Sequence, residues 1–262
     1  MKIKNILVAY TAPKNKEQKS TLNTVKNTLK KYKVSYNLVN RDKLNKSQFG
    51  NVDLVIAVGG DGTFLRAAHF VENQLLFGVN ADVKNKEGFL MRSNKKDFEK
   101  KFKKIMRNEF KIRKLPRLEA YINNKKVETP ALNEFFIGAR KSYHAAKYTI
   151  QINHRKERQK SSGILVTTPT GSYAWAKSCC SRTLPLSSKN FQLVIREPYE
   201  GNVFKDYKLK YAALSQNQKI KIASEMLDGI LTADSVSKEY SFKNGSRATI
   251  KLSNKHLNAV WL

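Results

Sequence analysis

The sequence predicts an α/β protein in two parts. An N-terminal domain built on a parallel sheet covered by helices is followed by a mostly antiparallel β domain. Three observations predict this. Strand-like and helix-like stretches alternate from residue 3 to residue 108, the texture turns to short β-rich segments after Pro116, and an apolar run breaks into glycines before resuming helical spacing, "DLVIAVGGDGTFLRAA" at 53–68.

Residues 3–10 form a short apolar strand ending near Pro13, and Leu22, Val25 and Leu29 recur at helical spacing over 16–31. "KVSYNLV" (33–39) alternates as a strand, 53–58 is a second apolar strand, and a helix is expected from about Thr63 to Glu72. "LLFGVN" (75–80) is a further strand, and 95–108 sets Phe98, Phe102, Ile105 and Met106 on one helical face. This alternation is that of a Rossmann-like α/β domain, whose ligands sit beyond the carboxyl ends of the strands, where the glycine turn lies. The boundary falls near 110–116, giving a first domain over 1–112 and a β-rich domain over 113–262, whose last residues are expected to pack back on the first. In the second part "RLEAYINNKKVE", "YTIQINHRKE", "GILVTT", "FQLVI" and "KIKIA" read as strands, with "NGS" at 244–246 as a hairpin signal.

The chain of 262 residues carries 50 Lys and Arg against 21 Asp and Glu, a net charge of +29. Such a field attracts polyanions, so nucleotides, nucleic acid and anionic membranes are all partners to weigh. The basic residues are scattered rather than gathered in a stripe, which favours solvated faces over a nucleic-acid surface. Cys179 and Cys180 are adjacent, so no disulfide framework is expected and a reducing compartment fits. With four scattered histidines there is no Cys/His metal constellation. No apolar run approaches the roughly 20 residues of a membrane span, and "MKIKNILVAYTAP" reads as a first strand rather than a signal.

Four local signals bear on chemistry. "GGDGT" (Gly59, Gly60, Asp61, Gly62, Thr63) is strand, glycine turn and helix, the way proteins cradle phosphate, yet it carries a carboxylate that repels phosphate. It matches neither the P-loop nor the spaced glycines of a dinucleotide fingerprint, and a capped tight turn remains an alternative. Asn133 and Glu134 are polar residues between apolar neighbours, able to hold a diol or simply to end a strand. "GILVTTPTGSYAWAKS" (163–178) runs from a strand through Thr-Pro-Thr-Gly-Ser into a helix expected near Ser172, with Tyr173 and Trp175 available to stack on a base or to fill a core. Asp234 follows an apolar strand, by default as a turn residue.

Together GGDGT, the Asn-Glu pair and the Thr-Pro-Thr-Gly-Ser segment (168–172), in that order and spacing, resemble the three signature motifs of the NAD kinase family. The wording of "GVNADVKNKEGFL", "ALNEFFIG", "RQKSSGILVTTPTGSYAW" and "IREPYEGNVF" looks like its mitochondrial-type branch. The resemblance implies transfer of the γ-phosphoryl group of ATP, or of polyphosphate, to the 2′-hydroxyl of the adenosine ribose of NAD, with Mg²⁺ assisting. It implies that Asp61 is the base facing that hydroxyl, that Gly59, Gly60 and Gly62 leave room for the triphosphate, and that Thr63 is among the binding residues. It further implies that Asn133 and Glu134 hold a ribose, that Thr170, Ser172, Tyr173, Ala174, Trp175 and Ser178 line the nucleotide pocket, and that Asn80 and Asp234 add contacts. Where many members carry Gly-Asp-Gly, this chain has Ser161, Ser162 and Gly163, so Ser162 takes the acid's place, as in the mitochondrial-type branch.

The resemblance also implies a homodimer or homotetramer with small-molecule nucleotides as partners, no membrane and no specific nucleic acid. With no Arg/Ser-rich presequence before the first strand, a cytoplasmic protein is expected. Two other readings use the same residues. A lipid kinase could use the acid-in-a-glycine-turn logic at an anionic membrane, but would leave the Asn-Glu pair and the Thr-Pro-Thr-Gly-Ser segment idle. A catalytically idle nucleotide sensor or nucleic-acid binder would exploit the lysine excess, but need not retain Asp61 and its glycines.

Overall fold

In the computed structural model, which describes residues 3–236 and 238–262, the alternating pattern of the first half becomes an open parallel sheet. Strands β1 (Asn5–Tyr10), β2 (Ser35–Asn40), β3 (Leu54–Gly59) and β4 (Leu75–Asn80) lie in the order β2-β1-β3-β4. Register sets Ile6 beside Leu54 and Gly59 beside Asn80. Parallel neighbours need crossovers, which α1 (Lys16–Lys31) and α2 (Asp61–Ala68) supply. Both sheet faces are covered, so Ile6 to Ala9 and Leu54 to Val58 are each no more than 2 % exposed.

Asn15 caps α1 by accepting the Gln18 N–H at 2.9 Å, a bond worth about 1 kcal/mol. Its buried Leu22, Val25 and Leu29 share a core with Phe98, Phe102 and Ile105 of α3 (Phe98–Met106), against which Met106 packs partly buried. Phe77, Phe98 and Phe102 stack in series with centroids 6.4 and 5.7 Å apart, so Phe98→Ala would cost roughly 3–5 kcal/mol. α2 begins two residues before the expected Thr63, because the Gly60 carbonyl already accepts the Thr63 and Phe64 N–H groups, and it ends at Ala68 rather than Glu72.

Contacts divide the chain into two compact units: the chain through Lys114 together with Leu257–Leu262, and Leu115–His256. In the first, Leu257–Trp261 pairs in parallel with β4 and lies between β4 and Lys111–Leu115, while Ser93–Asn94 adds to β4. The second unit has two antiparallel sheets, each six-stranded among the described residues. One is centred on Ala146–Ile152, Lys219–Ser224 and Arg247–Leu252, the other on Phe191–Arg196, Gly163–Thr167, Glu134–Ala139 and Gly229–Ala233. Tyr148, Ile150, Ile222 and Ile250 of the first sheet and Phe135, Ile137, Ile164 and Val166 of the second form one buried cluster.

Two expectations are corrected. Residues 244–246 do turn, closed by the Ser246 N–H on the Lys243 carbonyl at 2.9 Å with Gly245 at φ 82°. The flanking strands join different sheets, however: Tyr240–Ser241 pairs with Gly229–Ala233, and Arg247–Leu252 with Lys219–Ser224 and Leu118–Ile122. Turn chemistry is local, whereas sheet choice follows where Ala248 and Ile250 are buried. The helix expected from Ser172 is a 3₁₀ turn, Gly171–Tyr173, then a single α-turn, Trp175–Ser178, because Ala174 at φ −101° and ψ −128° interrupts it. Among the described residues no helix is long and apolar enough to cross a membrane.

Candidate functional site

The glycine turn sits where β3 ends. The Gly59 carbonyl accepts the Ala81 N–H at 2.8 Å, Gly60 is extended, and Asp61 opens the first turn of α2. A carboxylate there complements the positive end of the helix. Its oxygens are held by the segment after β4: Phe89 N–H donates to Oδ2 at 3.0 Å and Leu90 N–H to Oδ1 at 2.8 Å. Thr63 is fully buried, its Oγ1 2.5 Å from Thr11 Oγ1, and it accepts from Arg41 Nη1 at 3.3 Å.

Two cations outside the four local signals crowd this turn. Arg41 Nη1 lies 3.7 Å from where a Cβ on Gly62 would sit, and Lys86 Cδ lies 2.9 Å from where one on Gly60 would sit, so a side chain at Gly60 would displace Lys86. Burial lowers the Lys86 pKa, with Arg41 and Lys14 adding to the effect and Asp82 opposing it. The loop carrying Lys86 is pinned from several sides. Asn80 Nδ2 donates to the Lys86 carbonyl at 3.1 Å, while its Oδ1 accepts the Asp82 N–H at 3.0 Å. The Asp82 carboxylate accepts from Asn15, Gln18 and Asn85 at 2.9–3.1 Å, which lowers its pKa. Asn80 also borders a pocket of about 270 Å³ with Val83, Gly88, Arg92 and Lys101. Arg41 follows the carboxyl end of β2, the edge at which ligands of parallel sheets bind, and that is the signal that could have found it.

In the second unit the other three signals converge. Asp234, at φ 54° just past Gly229–Ala233, is buried, and its carboxylate accepts the N–H groups of Leu132, Asn133 and Glu134 at 2.9, 2.6 and 3.2 Å. Its own N–H returns to the Glu134 carbonyl at 2.9 Å. The Asn133 carbonyl accepts from Thr168 N–H at 2.8 Å and Thr167 Oγ1 at 3.2 Å, and Thr168 Oγ1 donates to the Leu132 carbonyl at 2.6 Å. Gly171 is pressed against this edge so closely that a Cβ would collide with the Asn133 carbonyl. What the backbone bonds leave over is a set of buried polar atoms with no hydrogen-bond partner: Asn133 Oδ1, Glu134 Oε2 and Thr170 Oγ1. Such groups cost free energy unless a ligand or water satisfies them. Burial, with Asp234 second, pushes the Glu134 pKa up to about 8.

The remaining expected residues fall into two groups. Ser172 is fully buried, donating to the Pro169 carbonyl at 2.7 Å and accepting the Leu184 N–H at 2.8 Å, so it braces its own segment. Tyr173 is 38 % exposed, Ala174 half-buried and Ser178 exposed. Trp175 stacks on Phe136 with centroids 5.2 Å apart, and the Arg196 guanidinium lies 4.7 Å from the Trp175 ring centroid. Ser162 meets Arg196 through the backbone, its N–H donating to the Arg196 carbonyl at 3.0 Å.

A carboxylate in a glycine turn at the carboxyl edge of a parallel sheet, with cations beside it, marks a phosphate-handling α/β enzyme. The comparisons with known proteins sharpen that class. Residues 4–110 match the ATP-NAD kinase N-terminal domain. The chain is 27 % identical to a probable NADH kinase of Oryza sativa subsp. japonica, covering 92 % of this chain and 80 % of the relative. It is 28 % identical to an NAD kinase of Thermoplasma volcanium, covering 80 % and 74 %. In fold it is similar to an NAD kinase from Archaeoglobus fulgidus solved in complex with ATP (TM-score 0.78, 23 % identity, 98 % and 92 % covered). It is likewise similar to yeast NADH kinase complexed with NADH (TM-score 0.83, 16 % identity, 100 % and 84 % covered). The first part of the chain thus matches the NAD kinase family model, and the relatives it resembles over most of its length are NAD and NADH kinases.

Proposed function

We infer that this protein is an ATP-dependent NAD kinase, transferring the γ-phosphoryl group of ATP to the 2′-hydroxyl of the adenosine ribose of NAD to make NADP. The observation that carries the reading is Asp61, a carboxylate in the glycine turn whose two oxygens each accept one backbone N–H. A carboxylate has about four lone-pair sites, so capacity remains for the proton of a hydroxyl. The 2′-oxygen bonds to the γ-phosphorus, the bond from that phosphorus to the β–γ bridging oxygen breaks, and ADP leaves. The hydroxyl proton passes to Asp61. Because the transition state of such transfers is loose, positioning and charge neutralisation dominate the barrier. Arg41 and Lys86 are suited to the second task, facing the donor's phosphates at Gly60 and Gly62. This also resolves the carboxylate-beside-phosphate conflict, since the acid is turned to the acceptor while cations flank the donor.

In the second unit, Asn133 and Glu134 are assigned to a ribose. The partnerless Asn133 Oδ1, Glu134 Oε2 and Thr170 Oγ1 are the polar groups a diol would satisfy. Asp234 and Ser172 support their neighbours' backbones in this reading and Thr63 ties the Thr11 and Arg41 side chains to the turn, while Tyr173, Ala174, Trp175 and Ser178 remain candidates for the nucleotide surface.

Among the described residues no group of three or more His, Cys, Asp and Glu side chains gathers around a metal position. Mg²⁺ needs no such cage, since the donor's phosphates and water supply most of its ligands in such sites. A bound Mg²⁺ would offset charge on the phosphates. We further place the protein in the cytoplasm as a homo-oligomer, the first on its two free thiols, Cys179 and Cys180, which suit a reducing compartment. The test is NADP formation from NAD with Mg-ATP or polyphosphate. No product with either donor overturns the reading.

A further inference from the structure

The two amides that grip Asp61 are themselves held. Arg92 turns its side chain back along its own segment, Nη2 donating to the Phe89 carbonyl at 2.6 Å and Nη1 to the Met91 carbonyl at 3.3 Å. Its guanidinium lies 3.6 Å from the centroid of the Trp261 ring, with Arg113 at 4.6 Å from the same ring. Lys101 Nζ donates to the Arg92 carbonyl, and Arg92 Nε is buried without a hydrogen-bond partner. Burial and Arg113 lower the Arg92 pKa, and the Asp61 carboxylate opposes them. A planar fork that bonds two carbonyls while resting on an aromatic face is a rigid fastening that lysine cannot reproduce.

We propose that Arg92 is a positioning residue for Asp61: braced on Trp261, it fixes the 89–91 backbone so that the Phe89 and Leu90 N–H groups hold both carboxylate oxygens in one orientation. The inference rests on the reading of Asp61 as the base. The grip leaves the free lone pairs of the carboxylate pointing in a single direction, which is what proton transfer from a positioned hydroxyl requires. Without it the carboxylate can rotate, and a small misplacement of a reacting group costs up to about 10²-fold in rate.

Three measurements test this. In Arg92→Ala, kcat for NADP formation should fall by roughly 10–100-fold while KM for NAD stays within about 3-fold, and added guanidinium should restore part of kcat. Arg92→Lys should remain impaired, and Trp261→Phe, which keeps a ring under the guanidinium, should retain most of kcat where Trp261→Ala does not. Hydrogen exchange should show the Phe89 and Leu90 amides losing protection in Arg92→Ala. An unchanged kcat in folded Arg92→Ala, a loss confined to KM, or equal protection of the two amides would overturn the proposal. If Arg92→Ala does not fold, the Arg92→Lys and Trp261→Phe pair decides it on the same readouts. A parent chain that makes no NADP sinks the kinase reading instead, and the exchange result still decides whether Arg92 holds these amides on Asp61.

Discussion

The glycine turn and the Asn133–Glu134 edge both surround carboxylates with backbone amides, but to different ends. At the turn, Asp61 is half-buried, receives two N–H groups and stands among Arg41, Lys86 and Arg92. At the edge, Asp234 is buried and takes three N–H groups, while the neighbouring Glu134 has one oxygen with no partner at all. The lesson is that one structure sets acids in three surroundings: half-buried among cations, buried as a backbone anchor, and buried with a raised pKa and a partnerless oxygen.

Replacing the acid at the turn should have the largest effect. Asp61→Asn preserves shape and removes the proton acceptor, so kcat should fall by about 10³-fold while NAD still binds, as read by coupled NADP assay and calorimetry. A kcat close to that of the parent would remove Asp61 from the role of base.

The anchor should register in stability instead. Asp234→Asn sets an amide NH₂ against at least one of the three backbone donors, which are shared between the two carboxylate oxygens, and should cost about 3 kcal/mol, or roughly 6–12 °C in Tm. Because Asp234 also raises the Glu134 pKa, the same variant should bring that pKa down.

Glu134 sharpens the contrast through pH. Its folded pKa of about 8 lies above the ordinary carboxyl value of 4.5, so the folded state holds the extra proton between those values and stability falls as pH rises from about 4.5 to 8. The loss is complete above pH 8 and is on the order of a few kcal/mol. Glu134→Gln should remove that slope, so melts of parent and variant should coincide near pH 4.5 and the variant should be the more stable at pH 9. Parallel melting curves across this range would place the proton elsewhere.

The smallest change is expected at Lys86. Lys86→Ala should raise KM for ATP about 10-fold, the worth of one charge-assisted contact, and leave KM for NAD alone. An equal effect on both substrates would remove Lys86 from the donor's side.

Much of this was legible along the chain because the governing physics is local. Helical spacing of Leu22, Val25 and Leu29 set α1 at Lys16–Lys31, and the apolar run "LLFGVN" set β4 at Leu75–Asn80. Glycine chemistry marked the turn at Asp61, and polar residues in apolar company marked Asn133 and Glu134. What the tertiary structure alone decided is partnership across long separations. Asp234 meets the Leu132–Glu134 amides 100–102 residues away, Asp61 meets Phe89 and Leu90 at 28 and 29, and Arg41 reaches Thr63 from 22. The turn at 244–246 was readable, but the sheet its following strand joins was not. A residue's own side chain and neighbours set its backbone preference, whereas the donors that meet a carboxylate depend on which distant segments pack together to bury apolar surface.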